Sequence, residues 1–148
     1  MLTRNNNLQG NYVPSSCRWL PRKCSVFVWR LGLNKLATMD SLMKRNIVRG
    51  NQNCVFCLEA EETSVHLFTS CNLSSTVWSL VSLWCKIPFI WAFSVKDLLE
   101  SHDFIGLSGK KKDMVQGIIR IGCWSIWKAR NEVRFNNKNV KLEDIIRR

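Results

Sequence analysis

The chain has 148 residues, of which 46% are hydrophobic and seven are tryptophan, so it is too apolar for a disordered linker and has room for one domain, or one domain with a helical appendage. Its formal net charge of +11 is uneven: basic minus acidic residues come to +8 over residues 1–50 (nine against one), −4 over residues 51–108 (two against six) and +7 over residues 109–148 (eleven against four). Two basic flanks suit a phosphate backbone if they share a face, although most charge runs are solvated helix faces.

The first 13 residues are rich in asparagine and lack periodicity, which predicts a flexible leader before a domain that starts near residue 14. Pro21 fits the first turn of a helix that runs to about Leu36, because the missing N–H of proline is tolerated there. Helical spacing gives this helix two candidate faces. We expect the first of the following sets to face the core and the second to face outward: Val26, Trp29, Leu33 and Leu36; Phe27, Arg30, Leu31 and Asn34.

A short second helix is predicted from its capping threonine. Thr38 followed by Asp40 is typical of a helix start, and this helix would end near Asn46. Lys44 and Arg45 lie in its last turn, where they would offset the negative partial charge of the helix C-terminus. That structural role competes with a contact to nucleic acid.

A cluster of cysteine and histidine follows, with the spacing C-x2-C-x8-H-x4-C. Its members are Cys54, Cys57, His66 and Cys71. Three thiols and one imidazole are the ligands that a tetrahedral structural Zn²⁺ requires, and the C-x2-C pair lets a tight turn place both sulfurs on one side of the backbone. Because four protein ligands close the coordination sphere, no position remains for an activated water. We predict one structural zinc ion.

The second half of this site needs a specific local structure. Thr63 or the serine after it is expected to cap a short helix, and the five-residue step from His66 to Cys71 spans about one and a half turns. Both side chains then reach one metal only if the helix ends or bends near Ser70. A carboxylate of the acidic loop is expected to accept a hydrogen bond from the free ring nitrogen of His66: Glu61 or Glu62.

Other chemistries fit these four residues less well. A redox dithiol usually lies at a helix start in a βαβ pattern, which the sequence does not show. Disulfides need an oxidising compartment, whereas the chain starts without an apolar signal segment and has an odd number of cysteines, seven. Unliganded buried thiols are the expected state of the remaining cysteines: Cys17, Cys24, Cys85 and Cys123.

A third helix, capped by Asn72 or Ser74, is predicted after the cluster. Four of its residues share an apolar face that we expect to point inward: Val77, Leu80, Val81 and Trp84. Residues 77–95 include a single charge, but Lys86 and the nearby Pro88 oppose a transmembrane helix. We predict two core segments and no membrane span.

A fourth, short helix is predicted to start at Ser94 and to run from Val95 to about Ser101, with Leu98 and Leu99 buried. His102 is expected in an exposed position or a loop.

A long amphipathic helix is predicted from the lysines at 110–112 to about Phe135. Its apolar stripe comprises Val115, Ile119, Gly122, Ile126, Ala129 and Val133. Trp124 and Trp127 share another face with arginines 120, 130 and 134. This face would clamp bases, belong to the core or, as we favour, dock a neighbouring domain. A polar turn and a short final helix complete a mainly α fold, a small helical domain with one CCHC zinc site followed by the long helix.

The zinc ligands lie within a wider pattern over about residues 12–85. Besides the ligands it includes Trp19-Leu20-Pro21-Arg22-Lys23, Phe27-Val28-Trp29-Arg30, Leu36-Ala37-Thr38, Leu42, Arg45, Glu62-Thr63 and Trp78. This pattern resembles the reverse-transcriptase zinc-binding domain of plant non-LTR (LINE-type) retrotransposon polyproteins. The resemblance implies a polymerase domain upstream and an RNase H-like domain downstream. Residues 14–90 would then be the zinc-binding domain, and residues 91–148 a helical connector toward the RNase H-like domain.

The resemblance and the basic flanks together predict a zinc-binding, non-catalytic module that binds RNA or DNA without sequence preference. The candidate contacts to nucleic acid are Arg22, Lys23, Arg30, Lys44, Arg45, Lys110, Lys111 and Lys112. The sequence has neither a Tyr-x-Asp-Asp polymerase motif nor the spread carboxylates of a two-metal nuclease. We therefore expect no enzyme activity, no small-molecule substrate and an intracellular location, in the nucleus or the cytoplasm.

Two alternatives remain open at this stage. The module would act as a structural or interaction scaffold between polymerase and RNase H domains, without touching nucleic acid, if the acidic middle of the chain repels a phosphate backbone. It would be a non-functional fragment of a decayed element if the gene encodes these residues alone.

Overall fold

The computed structural model of the chain describes residues 20–47 and 50–146; the predicted leader and Cys17 lie outside them. Within these ranges the chain forms α1 (Arg22–Gly32), α2 (Met39–Lys44), α3 (Asn72–Cys85), α4 (Val95–Glu100), α5 (Gly109–Asn136) and α6 (Leu142–Ile146). A π-helical turn (His66–Ser70) precedes α3, and a 3₁₀ turn (Ser101–Asp103) follows α4. The described residues pair as β structure at a single isolated bridge, between Asn53 and Glu61. The predicted mainly α fold class is confirmed.

The long helix α5 is the centre of the fold. It contacts α1, α3, α4, α6 and both short turns. One hydrophobic core includes residues from before and after position 90, among them Leu31, Phe68, Trp78, Leu98, Ile119 and Ile126. The predicted segments 14–90 and 91–148 therefore share this core.

The predicted core face of α1 is wrong for Val26 and Trp29, whereas Leu36 of the same set is buried, just beyond the end of the helix. Val26 and Trp29 are 50% and 43% exposed, and the buried residues of this helix are Cys24, Phe27, Val28 and Leu31. These four follow the i, i+3, i+4, i+7 spacing of one helix face, and Cys24 contributes because a free cysteine behaves as a small hydrophobe. The helix also ends at Gly32, earlier than predicted.

Part of the predicted inward face of α3 is also wrong. Val77 is buried, but Leu80 and Trp84 are exposed, and Trp78 takes their place in the core. Two serines are buried on the same side, because their hydroxyls are bonded: Ser74 donates to the Leu67 carbonyl and Ser82 to the Trp78 carbonyl. None of the described helices is long and apolar enough to cross a membrane.

The predictions for α2, for α4 and for the apolar stripe of α5 fit the structure closely. Thr38 occupies the N-cap position of α2, and the Ser94 hydroxyl caps α4 by accepting a hydrogen bond from the Asp97 N–H at 3.1 Å. Leu98 and Leu99 are buried. The apolar stripe of α5 faces the core through Val115, Ile119, Ile126 and Ala129.

His102 is buried, contrary to the prediction, because the 3₁₀ turn packs against α5. The predicted base-clamping or docking face of α5 is wrong as well. Arg120 and Arg130 are buried, and the Trp127 ring lies 6.3 Å from the rings of both Phe27 and Phe68. Trp127 is thus partly buried and packs against the core at the junction of α1, the π-helical turn and α5, in line with the core alternative for this face.

Candidate metal centre

Cys54 and Cys57 lie in a tight hairpin-shaped loop around the isolated bridge between Asn53 and Glu61. The Cys54 N–H donates to the Ala60 carbonyl at 2.7 Å, and the Glu62 N–H donates to the Gln52 carbonyl at 2.8 Å. Leu58 closes the turn by donating to the Cys54 carbonyl at 2.9 Å. This knuckle, residues 52–62, places both sulfurs of the C-x2-C pair on one side.

The second ligand pair lies at the two ends of the π-helical turn. Thr63 begins this segment as predicted, since its hydroxyl accepts a hydrogen bond from the His66 N–H at 3.1 Å. The Cys71 N–H donates to the His66 carbonyl at 2.7 Å, an i to i+5 bond that widens the helix. The predicted bend near Ser70 is therefore achieved by a wider turn, which brings His66 and Cys71 to the same side.

A π-helical turn leaves carbonyls to be satisfied from outside, and α3 satisfies them. The Trp78 indole N–H donates to the Phe68 carbonyl at 2.8 Å, and the Ser74 hydroxyl donates to the Leu67 carbonyl. Both donors are buried. The segment that carries two of the ligands is therefore fixed by side chains of the next helix.

The four predicted metal ligands converge. Ligand atoms of Cys54, Cys57, His66 and Cys71 all lie within 4.8 Å of one another. The Cys54 and Cys71 sulfurs are 3.8 Å apart, and the Cys57 sulfur is 3.3 Å from Nε2 of His66. Cys54 and Cys71 are buried, whereas Cys57 and His66 are partly exposed.

These distances fit zinc. A tetrahedron with Zn–S bonds of about 2.3 Å has sulfur–sulfur edges of about 3.8 Å, which is the separation of the Cys54 and Cys71 sulfurs. Three sulfurs and one imidazole nitrogen are also a common ligand set of structural zinc sites. When bound, the ion supplies a closed cross-link between the knuckle and the π-helical turn.

The sulfurs of Cys54 and Cys71 titrate as a pair. Their mutual hydrogen bond lowers the pKa of Cys54 to about 5 and raises that of Cys71. Burial opposes the lowering at Cys54 and adds to the rise at Cys71, so the pair shares one proton when no metal neutralises it. Zinc binding must displace that proton, which makes the affinity depend on pH.

Glu62 is one of the two predicted hydrogen-bond partners of the His66 ring, and for Glu62 this prediction is wrong. The Glu62 carboxylate is fully buried and contacts Arg130, Arg134 and the Met39 N–H. Glu61 is exposed on the hairpin. Glu62 therefore links the knuckle to α5 and α2.

Residues 4–78 match the family described as zinc-binding in reverse transcriptase. The match covers all four ligands and more than half of the chain. The chain belongs to this family. No curated protein and no solved structure is detectably similar to it. The reverse transcriptase zinc-binding domain is an accessory domain, and with the Cys₃His cluster it assigns one structural zinc ion to this site.

The basic residues predicted to contact nucleic acid lie in three places on this zinc-binding domain. Arg22, Lys23 and Arg30 are exposed on α1. Lys44 and Arg45 are exposed at the C-terminal end of α2. In the first turn of α5 Lys110 and Lys111 are exposed, and Lys112 forms an ion pair of 2.8 Å with Asp103.

Sequence reasoning missed the two arginines that support the metal site of the zinc-binding domain. Arg130 and Arg134 are one helical turn apart on α5, and both reach Glu62 in the knuckle. Their placement among the basic and aromatic residues of α5 suggests a surface role. Their role in the metal site follows only from their pairing with Glu62, which is distant in the sequence. No local sequence signal predicts that pairing.

Proposed function

We propose that this zinc-binding domain is a non-catalytic module of a retrotransposon reverse transcriptase that binds RNA or DNA without sequence preference. The observation that carries the proposal is the outer face of α1. Arg22, Lys23 and Arg30 are exposed there together with Trp29. The helix contains no acidic residue, so nothing on it opposes a phosphate backbone.

This face combines the two features that single-stranded nucleic acid requires. Arginine and lysine neutralise phosphates, and an exposed indole offers a surface on which a base of any identity stacks. Helical spacing places Trp29 on the same side of α1 as Arg22 and Val26. The other proposed phosphate contacts are Lys44, Arg45 and the lysines at the start of α5. The contribution of Lys112 should be smaller, because its charge is paired with Asp103.

The salt dependence of binding tests the proposal. Each phosphate contact to a single strand contributes about −0.7 to the slope of log K against log salt, so the triple variant R22A/K23A/R30A should reduce the slope by about 2. The measurement is fluorescence anisotropy of a labelled single-stranded oligonucleotide at several salt concentrations.

A matched control variant shows whether the change in slope comes from this face of α1 or from the overall positive charge of the domain. The variant K96A/K138A/K141A removes the same charge from three exposed lysines elsewhere on the domain. It should leave the slope nearly unchanged. Equal losses in the two triple variants, or an affinity of the unmodified protein that is independent of salt, would contradict the proposal.

A second candidate function, a scaffold for an adjoining domain, is favoured by a groove between α3, α5 and α6. The groove has a volume of 620 Å³ and an almost wholly apolar lining, with Leu80, Trp84 and Met114 at its partly open edge. Lys86 is the C-cap residue of α3. Lys111 lies near Cys85 at the same end of the helix. Burial raises the pKa of the Cys85 thiol, and the positive charge of Lys111 opposes that rise. This arrangement suits an amphipathic helix of a neighbouring domain with an acidic residue at one end.

Two groups of substitutions distinguish the candidates. Leu80→Ser with Trp84→Ser would abolish association with the adjoining domain, supplied as a separate chain, while leaving oligonucleotide binding intact. The variant R22A/K23A/R30A, which lies outside the groove, should leave polymerase activity of the full-length protein intact if the scaffold is the function. A strong loss of that activity would favour nucleic-acid binding.

A further inference from the structure

A buried ion-pair cluster joins the zinc knuckle to the long helix. The Glu62 carboxylate is 0% exposed, and the Arg130 side chain is 1% exposed. Nη2 of Arg130 donates to the carboxylate at 2.6 Å, and its Nε donates to both oxygens at 3.1 Å. The Met39 N–H and Nη2 of Arg134 complete the shell of the carboxylate, at 3.0 and 3.2 Å.

Glu62 is a member of the knuckle itself. It follows Cys57 by five positions and precedes His66 by four, and its N–H donates to the Gln52 carbonyl across the hairpin. A carboxylate with several charge-assisted hydrogen bonds has a fixed position, because moving it away would leave a buried charge unpaired. Arg130 therefore fixes the segment that leads from the C-x2-C pair to the π-helical turn.

Arg134 fixes the opposite side of the knuckle. Its Nη2 donates to the carbonyl of Asn53 at 2.8 Å, and Asn53 directly precedes the ligand Cys54. The π-helical turn with the other two ligands also rests on α5, since the Phe68 ring stacks on Trp127 at 6.3 Å. Both ligand-bearing segments are thus positioned by side chains of one helix.

The family match ends at residue 78, so α5 lies beyond the segment that defines a zinc-binding domain. We infer that Arg130 and Arg134 are positioning residues of the zinc site, and that zinc affinity and the order of the C-terminal half of α5 are thermodynamically linked. Zinc binds a knuckle that Arg130 and Arg134 hold in place. In the reverse direction, loss of zinc frees the knuckle and weakens the hold of Glu62 on α5. The linkage is reciprocal, because one coupling free energy governs both directions. This inference does not depend on nucleic-acid binding.

Zinc affinity tests the first direction. Competition with a chromophoric chelator should show Zn²⁺ binding 10- to 100-fold weaker in Arg130→Met, about the effect of losing a group that supports a metal ligand. Lys112→Met is the matched control, because it breaks an ion pair on the same helix at the opposite end, with Asp103. Its affinity should stay within about twofold of the unmodified protein.

A double variant separates positioning from general destabilisation. Glu62→Met with Arg130→Met removes both fully buried charges and leaves Arg134, which is partly exposed and still donates to the Asn53 carbonyl. The double variant should therefore bind zinc more tightly than Arg130→Met. If Arg130→Met fails to fold, Arg134→Met replaces it, since this variant leaves the bonds between Arg130 and Glu62 intact. An unchanged zinc affinity in the folded variants would overturn the inference.

Hydrogen exchange tests the second direction. Removal of zinc by a chelator, or the substitution Cys57→Ser, should reduce amide protection over residues 126–136 of α5 and leave residues 115–122 protected. The second segment is an internal control, because its contacts lead to α1 and the 3₁₀ turn: the Cys24 thiol donates to the Arg120 carbonyl, and the Gln116 amide contacts His102. Equal protection of residues 126–136 with and without zinc would refute the linkage, and equal loss in both segments would show global unfolding instead.

Discussion

The six-membered ring of the Trp78 indole lies directly against the backbone of Gly122. A Cβ at position 122 would be 2.8 Å from Cη2 and Cζ3 of the indole, closer than carbon atoms approach in folded proteins. Trp78 is buried, and its N–H supports the π-helical turn that carries His66 and Cys71. The absence of a side chain at Gly122 thus lets α3 and α5 pack closely beneath the metal site.

Gly122→Ala should therefore destabilise the domain, by about 1–3 kcal/mol, because the added methyl group overpacks a close contact. Replacing the indole with a smaller ring should relieve part of the cost. In a Trp78→Phe background the added cost of Gly122→Ala should be smaller, which a double-mutant cycle of urea unfolding measures. Equal costs in both backgrounds would show that the indole is not the obstacle.

The metal site was predictable because its information is local. Cys54 and Cys71 are 17 positions apart, and the ligand types and their spacing state the chemistry before any fold is known. Helix α4 was predictable for the same reason, since the Ser94 cap and the buried pair Leu98 and Leu99 lie within six residues.

The remaining features depend on tertiary partners. Helix α1 has apolar residues on both candidate faces, and only packing against α5 selects the face with Phe27 over the face with Trp29. Glu62 meets Arg130 across 68 positions, a pairing that no spacing rule contains. The π-helical turn that starts at His66 depends on α3, because the Ser74 and Trp78 side chains donate hydrogen bonds to carbonyls of that turn.

The purified domain should contain one zinc ion per chain, and Cys57→Ser should abolish stoichiometric binding. Three ligands leave the cross-link between the knuckle and the π-helical turn open, so the thermal midpoint should fall in the variant and, after chelation, in the unmodified protein. Cys85→Ala is the control, because this thiol lies outside the cluster at the end of α3. Elemental analysis measures the stoichiometry. Full zinc content in Cys57→Ser would contradict the ligand assignment.

Trp29→Ala should weaken binding of a single-stranded oligonucleotide by about tenfold, since stacking of one base on an aromatic ring contributes about 1–3 kcal/mol. The slope of log K against log salt should not change, because no cation is removed. Trp84→Ala is the matched control, an even more exposed tryptophan on α3. Anisotropy titrations measure both variants. A similar loss in the two variants would indicate non-specific hydrophobic adsorption to tryptophan.

The stability of the domain should fall as the pH drops below about 6.5, through His102. Burial lowers the pKa of this histidine in the folded protein; Asp103 opposes that shift, and Arg120 and Lys112 add to it. Its Nε2 lies 3.0 Å from the side-chain amide nitrogen of Gln116, which donates to the neutral ring. The folded state therefore keeps His102 neutral at a pH where the unfolded chain already binds a proton.

The sign of this effect follows from proton uptake. Above the unfolded pKa of about 6.5 both states are neutral, and the stability does not depend on this group. Below it the unfolded chain is favoured, by at most about 1.4 kcal/mol per pH unit for one proton. His102→Gln removes the titration, so its unfolding free energy should fall less than that of the unmodified protein between pH 7.5 and 5.5. Urea unfolding in excess zinc measures the unfolding free energy of both proteins. The metal ligands are the same in the two proteins, so their contribution to the pH dependence cancels in the comparison. Parallel pH profiles would show that His102 does not titrate differently on folding.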